Sequence, residues 1–355
     1  MDVQINGNTV SFEQSDMAFV KRFGITQATN MVLDYKTLHP LPFLYDTHQL
    51  AAFLHTSRKR LFYYAKQAGQ AYRPVTVKKK NGHPRQLYAP NAILQAYQSC
   101  ILRHILNKLP ASVYATAYLP GRTLVQNASP HVGKRYLLKL DITDFFGSIR
   151  FDQVYSAAFS TIYFPRQIGA MLTALCCRED VLPQGAPTSP ALSNLVMRGF
   201  DNHIGDWCKA CGIAYTRYCD DMTFSWDRPL FVVYQKVRSM LQEMGFELNE
   251  KKTRFVTNAN RQCVTGLTVN EKVRVSSDYK RALRQEVYYA LKFGPAESLM
   301  RTNKKGFMDG GEPQADRYLH HLIGKVHFVL QIEPENPWFQ TTAQELRLQL
   351  ESLMH

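Results

Sequence analysis

Helical and strand-like spacings of apolar residues alternate in the first third of the chain. Residues 47–70 and 91–109 place apolar side chains three and four positions apart, which is the spacing of one face of a helix. Two short extended runs lie between these segments and flank Asn81-Gly82, a residue pair that favours a tight hairpin turn. The pattern therefore predicts a β-hairpin between two helices.

The middle of the chain predicts a strand, a long helix and a second hairpin. Residues 136–142, YLLKLDI, form an apolar run typical of a buried strand, with Asp141 near its end. The loop LPQGAPT introduces a helix predicted over 189–209. Residues 213–225 fit a hairpin whose turn holds Asp220 and Asp221.

The remainder is predicted to become mostly helical. A helix over 231–244 and a strand over 263–269 precede a region in which helical periodicity dominates from about residue 277, with Gly-Pro and Gly-Gly interruptions. This mixture predicts an α+β fold in which helices pack on one side of a largely antiparallel sheet.

Charge is distributed unevenly, which points to a polyanionic partner. The 355-residue chain has a formal net charge of +14, yet residues 47–140 contain 15 Lys and Arg and no Asp or Glu. These basic residues punctuate extended pieces rich in Tyr, Pro and Gly, and do not form one face of an amphipathic helix. A nucleic acid is therefore favoured over a membrane surface as the partner.

Targeting and cysteine patterns add little to this picture. No apolar run is long enough to cross a membrane, and the first residues do not resemble a signal peptide. Among seven cysteines only Cys208 and Cys211 show CxxC spacing, so structural zinc is not expected. We expect a cytoplasmic protein with reduced cysteines and no membrane partner.

The stretch YTRYCDDMTFS, residues 215–225, places two aspartates side by side between apolar flanks. One interpretation is an ordinary turn, because Asp tolerates unusual backbone angles. The other is a Mg²⁺ site, which needs further oxygen ligands. Asp141 supplies a third carboxylate if the strands bring the three together, although a strand-end Asp can also simply cap the following turn. Two divalent cations held by such carboxylates would serve phosphoryl transfer.

Three motifs resemble those of reverse transcriptases in type, order and spacing. They are KLDITDFF, LPQGAPTSPALSNL and YCDD, which begin at residues 139, 182 and 218. NASPH at 127–131 resembles an NAxxH element and VTGLTVN at 264–270 a VTG element, both typical of bacterial retron reverse transcriptases. The family usually has Ala at the second position of YxDD, so Cys219 is a departure, for which we expect a small steric change.

The resemblance implies a right-hand polymerase fold with fingers, a palm that contains the antiparallel sheet, and a helical thumb. It implies an N-terminal extension over 1–46, fingers with part of the palm over 47–135, palm over 136–270, and a thumb or RNA-recognition region over 271–355. It also implies that Asp141, Asp220 and Asp221 are catalytic and bind two Mg²⁺, which Mn²⁺ can replace.

The resemblance assigns nucleotide-contacting roles as well. The residues implied to contact the incoming nucleotide are Lys80, Arg85, Phe146, Gln184, Gly185 and either Lys251 or Lys252. Phe146 resembles the steric gate that excludes a 2′-OH, with a core aromatic role beside Phe145 as the alternative. Arg85 suits a triphosphate because its guanidinium can form paired hydrogen bonds, and Gly185 permits close backbone approach.

A further set is implied to contact nucleic acid: Asn127, His131, Val264, Thr265, Gly266, Arg281 and Arg284. His131 has a structural alternative, because a lone His is often a core residue. Segment 264–270 resembles a primer grip. Arg281 and Arg284 lie largely off the apolar stripe of a predicted helix, so they can face RNA, although an ordinary solvated basic face is the alternative.

The retron resemblance also implies a biological role. The substrates would be dNTPs and a structured non-coding RNA that is both template and primer. The product would be a branched RNA–DNA hybrid (msDNA), primed from an RNA 2′-OH, that serves anti-phage defence with an effector or toxin protein. The alternatives are a group II intron-like or diversity-generating reverse transcriptase and, in another class, a non-catalytic RNA-binding scaffold.

Overall fold

The computed structural model describes residues 1–5, 7–78, 82, 84–302 and 305–354. The chain divides into two compact units, each assembled from separate stretches. Unit 1 comprises Met1–Arg122, Lys139–Met222 and Phe231–Thr253, and unit 2 comprises Thr123–Leu138, Thr223–Leu230 and Arg254–His355. The finer division into fingers, palm and thumb remains a prediction.

The first residues of unit 1 form a small structure with its own apolar centre. Strands Asp2–Ile5 and Asn8–Ser11 pair antiparallel, and helices Met17–Phe23 and Ile25–Leu38 follow. The buried members of the centre are Val10, Phe12, Phe19, Ala28 and Val32. Strand alternation and helical spacing direct these side chains to one side, so the segment folds around them.

The basic segment contains the predicted β-hairpin. Strands Tyr72–Lys78 and Pro84–Pro90 pair antiparallel, with Val77 opposite Arg85. Most side chains on the two strands are exposed or half-buried, so backbone hydrogen bonds rather than a core hold this hairpin together. Lys80 and Asn81, to which the sequence assigned a triphosphate contact and part of the turn, lie outside the described residues.

Helices make up most of the rest of unit 1. They are Thr47–Phe53, Arg58–Gln67, Ala92–His104, Phe151–Val154, Arg166–Cys176, Ser189–Val196, Arg198–Ala210 and Phe231–Glu243. The single helix predicted over 47–70 is two helices, because the Ser57 hydroxyl caps the second one by accepting from the Arg60 amide, while His55 adopts a φ of 51°. The helix predicted over 189–209 is likewise interrupted, at Met197.

A four-stranded sheet explains the apolar run at 136–142. Its strand order is Ala214–Tyr218, Asp221–Trp226, Tyr136–Asp141 and Arg254–Thr257. Strand Tyr136–Asp141 has a neighbour on each side, and four of its six residues are buried, which favours apolar residues at successive positions. The two central strands contribute residues to both units. As predicted, the second and first strands of this order form a hairpin.

Unit 2 is built around long C-terminal helices. Its helices are Leu124–Ala128, Ser277–Phe293, Pro295–Thr302, Ala315–Ile332 and Pro337–Met354, and its other short strands are Cys263–Val264, Leu267–Thr268, Arg274–Val275, Met308–Asp309 and Glu312–Pro313. Buried side chains from these helices form one continuous core. Within the described part of the chain, none of the helices has the length and apolar character needed to cross a membrane.

The single strand predicted over 263–269 is wrong. Strands Cys263–Val264 and Leu267–Thr268 instead pair antiparallel. Thr265 and Gly266 connect them with φ values of 45° and 87°. Positive φ at two successive residues is the geometry of a tight two-residue hairpin turn, so the apolar run folds back on itself.

Candidate active site

A cavity of about 440 Å³ opens in unit 1 where the sheet strands end. Four separate parts of the chain line it: the basic hairpin, the residues after strand Tyr136–Asp141, the loop before helix Ser189–Val196, and the hairpin turn. The predicted site residues in its wall are Arg85, Asp141, Phe146, Gln184, Asp220 and Lys252. Segments far apart in sequence therefore converge on one polar cavity.

Two of the predicted carboxylates come from neighbouring strand ends. Asp141 is the last residue of its strand and is 6% exposed. Asp220 lies in the hairpin turn, and its carbonyl accepts a hydrogen bond from the Ile142 amide at 3.3 Å. This bond ties the turn to the strand end. Asp221 is already the first residue of the next strand, so the turn holds Cys219 and Asp220, one residue earlier than predicted.

Charge repulsion marks this group of carboxylates. Burial, followed by the neighbouring Asp220, raises the pKa of Asp221, while Lys139 and Lys252 act in the opposite direction. Within the described residues, no group of three or more His, Cys, Asp or Glu has the spacing of an assembled metal site. Carboxylate oxygens that repel one another are nevertheless the donor chemistry that Mg²⁺ prefers, so the residues present fit this cation.

Lys252 is distinguished from Lys251 by its position. Its Nζ donates a hydrogen bond to Oδ2 of Asp141 at 2.7 Å, and its side chain lines the cavity. Lys251 is exposed and does not line that cavity. The Lys252 amide also bonds to the Asn249 carbonyl at 2.9 Å, so a local turn directs the second lysine of the pair inward.

The two adjacent phenylalanines have different environments. Phe145 is 4% exposed, and its ring lies 6.1 Å from that of Phe246. Phe146 is half-buried and lines the cavity. Phe145 is therefore the core aromatic of the pair, and Phe146 presents part of its ring to the space beside Asp141.

Gly185 permits a close approach, but of a different backbone from the one predicted. It has a φ of 123°, and an added Cβ would lie 2.9 Å from the carbonyl oxygen of Tyr88. The neighbouring Gln184 carbonyl accepts from the Tyr88 amide at 2.8 Å. The glycine thus allows the loop to pack against the basic hairpin, which holds Gln184 at the cavity.

The NAxxH and VTG elements contact each other inside unit 2. The Asn127 side-chain amide donates to the Thr265 hydroxyl at 3.2 Å. Nδ1 of His131 lies 2.7 Å from the Ser225 hydroxyl. Asn127, His131 and Val264 are at most 1% exposed, so the predicted direct contact of their side chains with RNA is wrong: they belong to the core. Gly266 is exposed at the turn.

Arg281 and Arg284 both lie on the exposed side of helix Ser277–Phe293. The guanidinium of Arg284 stands 5.3 Å from the ring centre of Trp338 and 5.4 Å from that of Phe339. The predicted amphipathic pattern is confirmed, since Leu283 and Val287 are buried. Arg284 is thus partly engaged within unit 2, whereas Arg281 faces outward.

Sequence reasoning missed two residues in the cavity wall. Tyr118 is 53% exposed and has a φ of 59°, and its hydroxyl pairs with the Cys219 thiol. Asn249 donates its amide to the Asp141 carbonyl at 2.8 Å. Burial, followed by Asp220, raises the pKa of Cys219 to about 12, so this departure from the usual Ala adds a small neutral group. The sequence GFELNEKK carries a signal for Asn249 only through its proximity to the lysines.

Comparison with known proteins agrees with this geometry. The family model for reverse transcriptase (RNA-dependent DNA polymerase) matches residues 77–285. The retron Ec86 reverse transcriptase of Escherichia coli is 32% identical over 254 residues, which cover 70% of this chain and 79% of that protein. The retron Mx65 reverse transcriptase of Myxococcus xanthus is 35% identical, with 65% of this chain and 57% of that protein covered.

A third relative, the retron Se72 reverse transcriptase of Salmonella heidelberg, is 30% identical over 70% of this chain and 68% of its own length. The chain belongs to the reverse transcriptase family, the RNA-dependent DNA polymerases. Within it the chain is of the bacterial retron type. The predicted right-hand polymerase fold, RNA-directed DNA polymerase activity and retron resemblance are therefore confirmed.

Proposed function

We propose that this reverse transcriptase copies part of a structured non-coding RNA into a branched RNA–DNA hybrid, starting from a 2′-OH of that RNA. The observation that carries the proposal is the convergence of Asp141, Asp220, Phe146, Gln184 and Lys252 on one cavity. The retron type of the relatives supports the RNA and the branched product. By the same likeness the protein acts in the cytoplasm in anti-phage defence, with an effector or toxin protein as partner.

Asp141, Asp220 and Asp221 would hold two Mg²⁺, for which Mn²⁺ can substitute. Such cations activate the attacking hydroxyl and stabilise the leaving oxygen in phosphoryl transfer. Lys252 places a positive charge at the same carboxylates, where it can neutralise or protonate the departing pyrophosphate. This assigns to Lys252, rather than to Lys251, the role beside the pyrophosphate.

The other groups of the cavity orient the incoming dNTP. Arg85 lies on the strand of the basic hairpin that lines the cavity and presents its guanidinium fork to the triphosphate. Phe146 presents a ring against the sugar, where a 2′-OH would collide with it. Gln184, held by its carbonyl bond to Tyr88, contacts the base pair being formed. Lys80 would join Arg85 at the triphosphate.

RNA is held by surfaces outside the cavity. The basic hairpin is exposed and belongs to a segment without a single acidic residue, so it attracts phosphates. In unit 2 the exposed turn at Thr265 and Gly266 would contact the primer strand. Arg281, on the outward side of helix Ser277–Phe293, would contact the backbone of a folded stem, which proteins recognise by shape more than by base edges.

The decisive experiment identifies the nucleic acid that copurifies with the protein from its native host. We expect a small RNA branched to short DNA, with the DNA absent from the Asp220→Asn/Asp221→Asn protein and the RNA retained. An intron-length RNA would favour the group II intron-like alternative. RNA without DNA, together with no dNTP incorporation by purified wild-type protein, would favour the non-catalytic scaffold. Proteins retained in the same preparation would identify the effector.

A further inference from the structure

Unit 1 contains a fully buried ion pair directly behind the YCDD turn. Arg217 and Asp201 are both 0% exposed. Nε of Arg217 donates to Oδ1 of Asp201 at 2.8 Å, and Nη2 donates to Oδ2 at 2.6 Å. Burial alone would lower the pKa of Arg217, but Asp201 outweighs it and the pKa is raised. The guanidinium therefore stays charged inside the protein.

The remaining donor groups of Arg217 reach the turn and a neighbouring helix. Nη1 donates to the carbonyl oxygen of Cys219 at 2.9 Å, and Nη2 also donates to Oδ1 of Asn194 at 3.2 Å. Cys219 has a φ of 61°, in the left-handed region that is unfavourable for a residue with a side chain. The Arg217 bond fixes the peptide that leads directly into Asp220.

A second branch of the network reaches the opposite wall of the cavity. The Asn194 amide donates to the carbonyl of Ala117 at 2.9 Å, the residue before Tyr118. Tyr118 is also left-handed, with a φ of 59°. The Arg217 carbonyl accepts from both the amide and the hydroxyl of Thr116, at 2.9 and 3.0 Å. One buried side chain thus connects two strained residues that both line the cavity.

We propose that Arg217 is a positioning residue for polymerisation: held in place by Asp201, it fixes the backbone of Cys219 and so the placement of the Asp220 and Asp221 carboxylates. This inference rests on the proposed catalytic role of those carboxylates. Arginine suits the task because one planar group carries five donors in a fixed geometry. A lysine in the same place can keep the charge opposite Asp201 but cannot span Asp201, Asn194 and Cys219 together.

The test is Arg217→Lys, assayed for dNTP incorporation on a primed RNA template. We expect kcat to fall by about ten- to a hundredfold, because misplaced catalytic groups lose rate rather than affinity. KM for dNTP and the Kd for RNA should stay within about twofold of wild type. The thermal unfolding midpoint and circular dichroism are recorded in parallel. A kcat within about twofold of wild type in folded Arg217→Lys overturns the proposal.

Tyr215→Phe is the matched control. The Tyr215 hydroxyl donates to the same Asp201 oxygen at 2.7 Å and is equally buried from solvent in the network, but it makes no bond to the turn. It should lower the unfolding temperature and leave kcat near wild type. A parallel loss of kcat and unfolding temperature in both variants would show that the pair only supports the fold, which also overturns the proposal.

If Arg217→Lys does not fold, the double variant Arg217→Met/Asp201→Leu decides. Replacing both members of a buried ion pair by apolar residues is often tolerated, whereas removing one is not. A folded double variant with reduced kcat and unchanged KM supports the proposal, and one with wild-type kcat overturns it. Absence of polymerisation by the wild-type protein would instead be a failure of the proposed function, so the two failures are distinguishable.

Discussion

Nζ of Lys252 lies 2.7 Å from Oδ2 of Asp141, while the preceding Lys251 does not line the cavity. Two adjacent lysines therefore make different predictions. Lys252→Met should lower kcat for dNTP incorporation by about a hundredfold, within the range for loss of a proton-transfer group. Lys251→Met should leave kcat within about twofold of wild type. Single-turnover incorporation kinetics measure both. Equal effects of the two substitutions would remove the distinction.

The carboxylates give the next prediction. Asp220→Asn/Asp221→Asn should abolish DNA synthesis and leave the protein folded, because it removes metal ligands and also relieves charge repulsion at a partly buried site. RNA binding should persist, since the basic hairpin supplies it. Primer extension, a thermal melt and an RNA filter-binding assay measure the three quantities.

Asp152→Asn is the control for that pair. Asp152 forms an exposed ion pair with Arg150, with side chains 63% and 69% exposed, and such pairs contribute little to stability. The control should polymerise normally. Undiminished synthesis by the Asp220/Asp221 variant would instead restore the interpretation of these residues as an ordinary turn.

Sugar discrimination is expected to depend on Phe146 and not on Phe145. Phe146→Ala should increase incorporation of ribonucleotides relative to deoxyribonucleotides, because it removes the ring that faces the cavity. Phe145→Ala should lower the free energy of unfolding by about 3–5 kcal/mol, as expected for a buried Phe, without altering the sugar preference. Competition assays with paired rNTP and dNTP measure the ratio. An unchanged ratio in Phe146→Ala would leave Phe146 as a core residue.

The sequence could predict the carboxylate constellation because it is carried by local motifs. Asp141 ends an apolar run, and Asp220 stands in a hairpin whose strands alternate recognisably. The hairpin strands, the buried strand and the C-terminal helices follow from periodicity alone. The helix breaks at Ser57 and Met197 do not, because capping and backbone angles compete with an otherwise continuous helical pattern.

What could not be predicted depends on long-range partners. Arg217 sits in a strand pattern where a charged residue indicates exposure, yet it is buried because Asp201 reaches it from a helix. His131 occupies a polar motif beside basic residues, yet the Ser225 hydroxyl on a distant strand accommodates it in the core. Tyr118 gains its position from a left-handed backbone that contacts far along the chain impose.

The burial of His131 predicts a pH-dependent stability. Burial lowers its pKa to about 3, below the value of about 6.5 expected in the unfolded chain. The folded protein therefore binds fewer protons than the unfolded chain between these values. The free energy of unfolding should be fully retained above pH 6.5 and should decline as the pH falls from about 6.5 towards 3, by up to about 1.4 kcal/mol per pH unit.

Urea denaturation at a series of pH values measures this slope. His131→Asn keeps a polar group at the Nδ1 position that faces Ser225 and should lose the His131 part of the slope, whatever its stability at neutral pH. His203→Asn, at an exposed position, should keep the wild-type slope. Identical slopes for wild type and His131→Asn would show that another group governs the acid sensitivity.

The choice of RNA template is expected to depend on Arg281. This residue faces outward from helix Ser277–Phe293, whereas Arg284 stacks on Trp338. Arg284→Glu should therefore also cost stability, about 0.5–2 kcal/mol for the lost cation–π contact. Arg281→Glu should leave the unfolding temperature unchanged, so it isolates the contribution of charge to RNA binding from the contribution to the fold.

Arg281→Glu should spare extension of a generic primed template and reduce use of the cognate structured RNA by about tenfold or more, since each lost phosphate contact weakens binding and lowers the slope of log K against log salt by about 0.7–0.9. Lys209→Glu makes the same charge change at an exposed position of unit 1 and should affect neither template. Extension rates on both RNAs, measured over a salt series, decide the matter. An equal loss on the two templates would assign this helix to support of the polymerase fold and not to RNA choice.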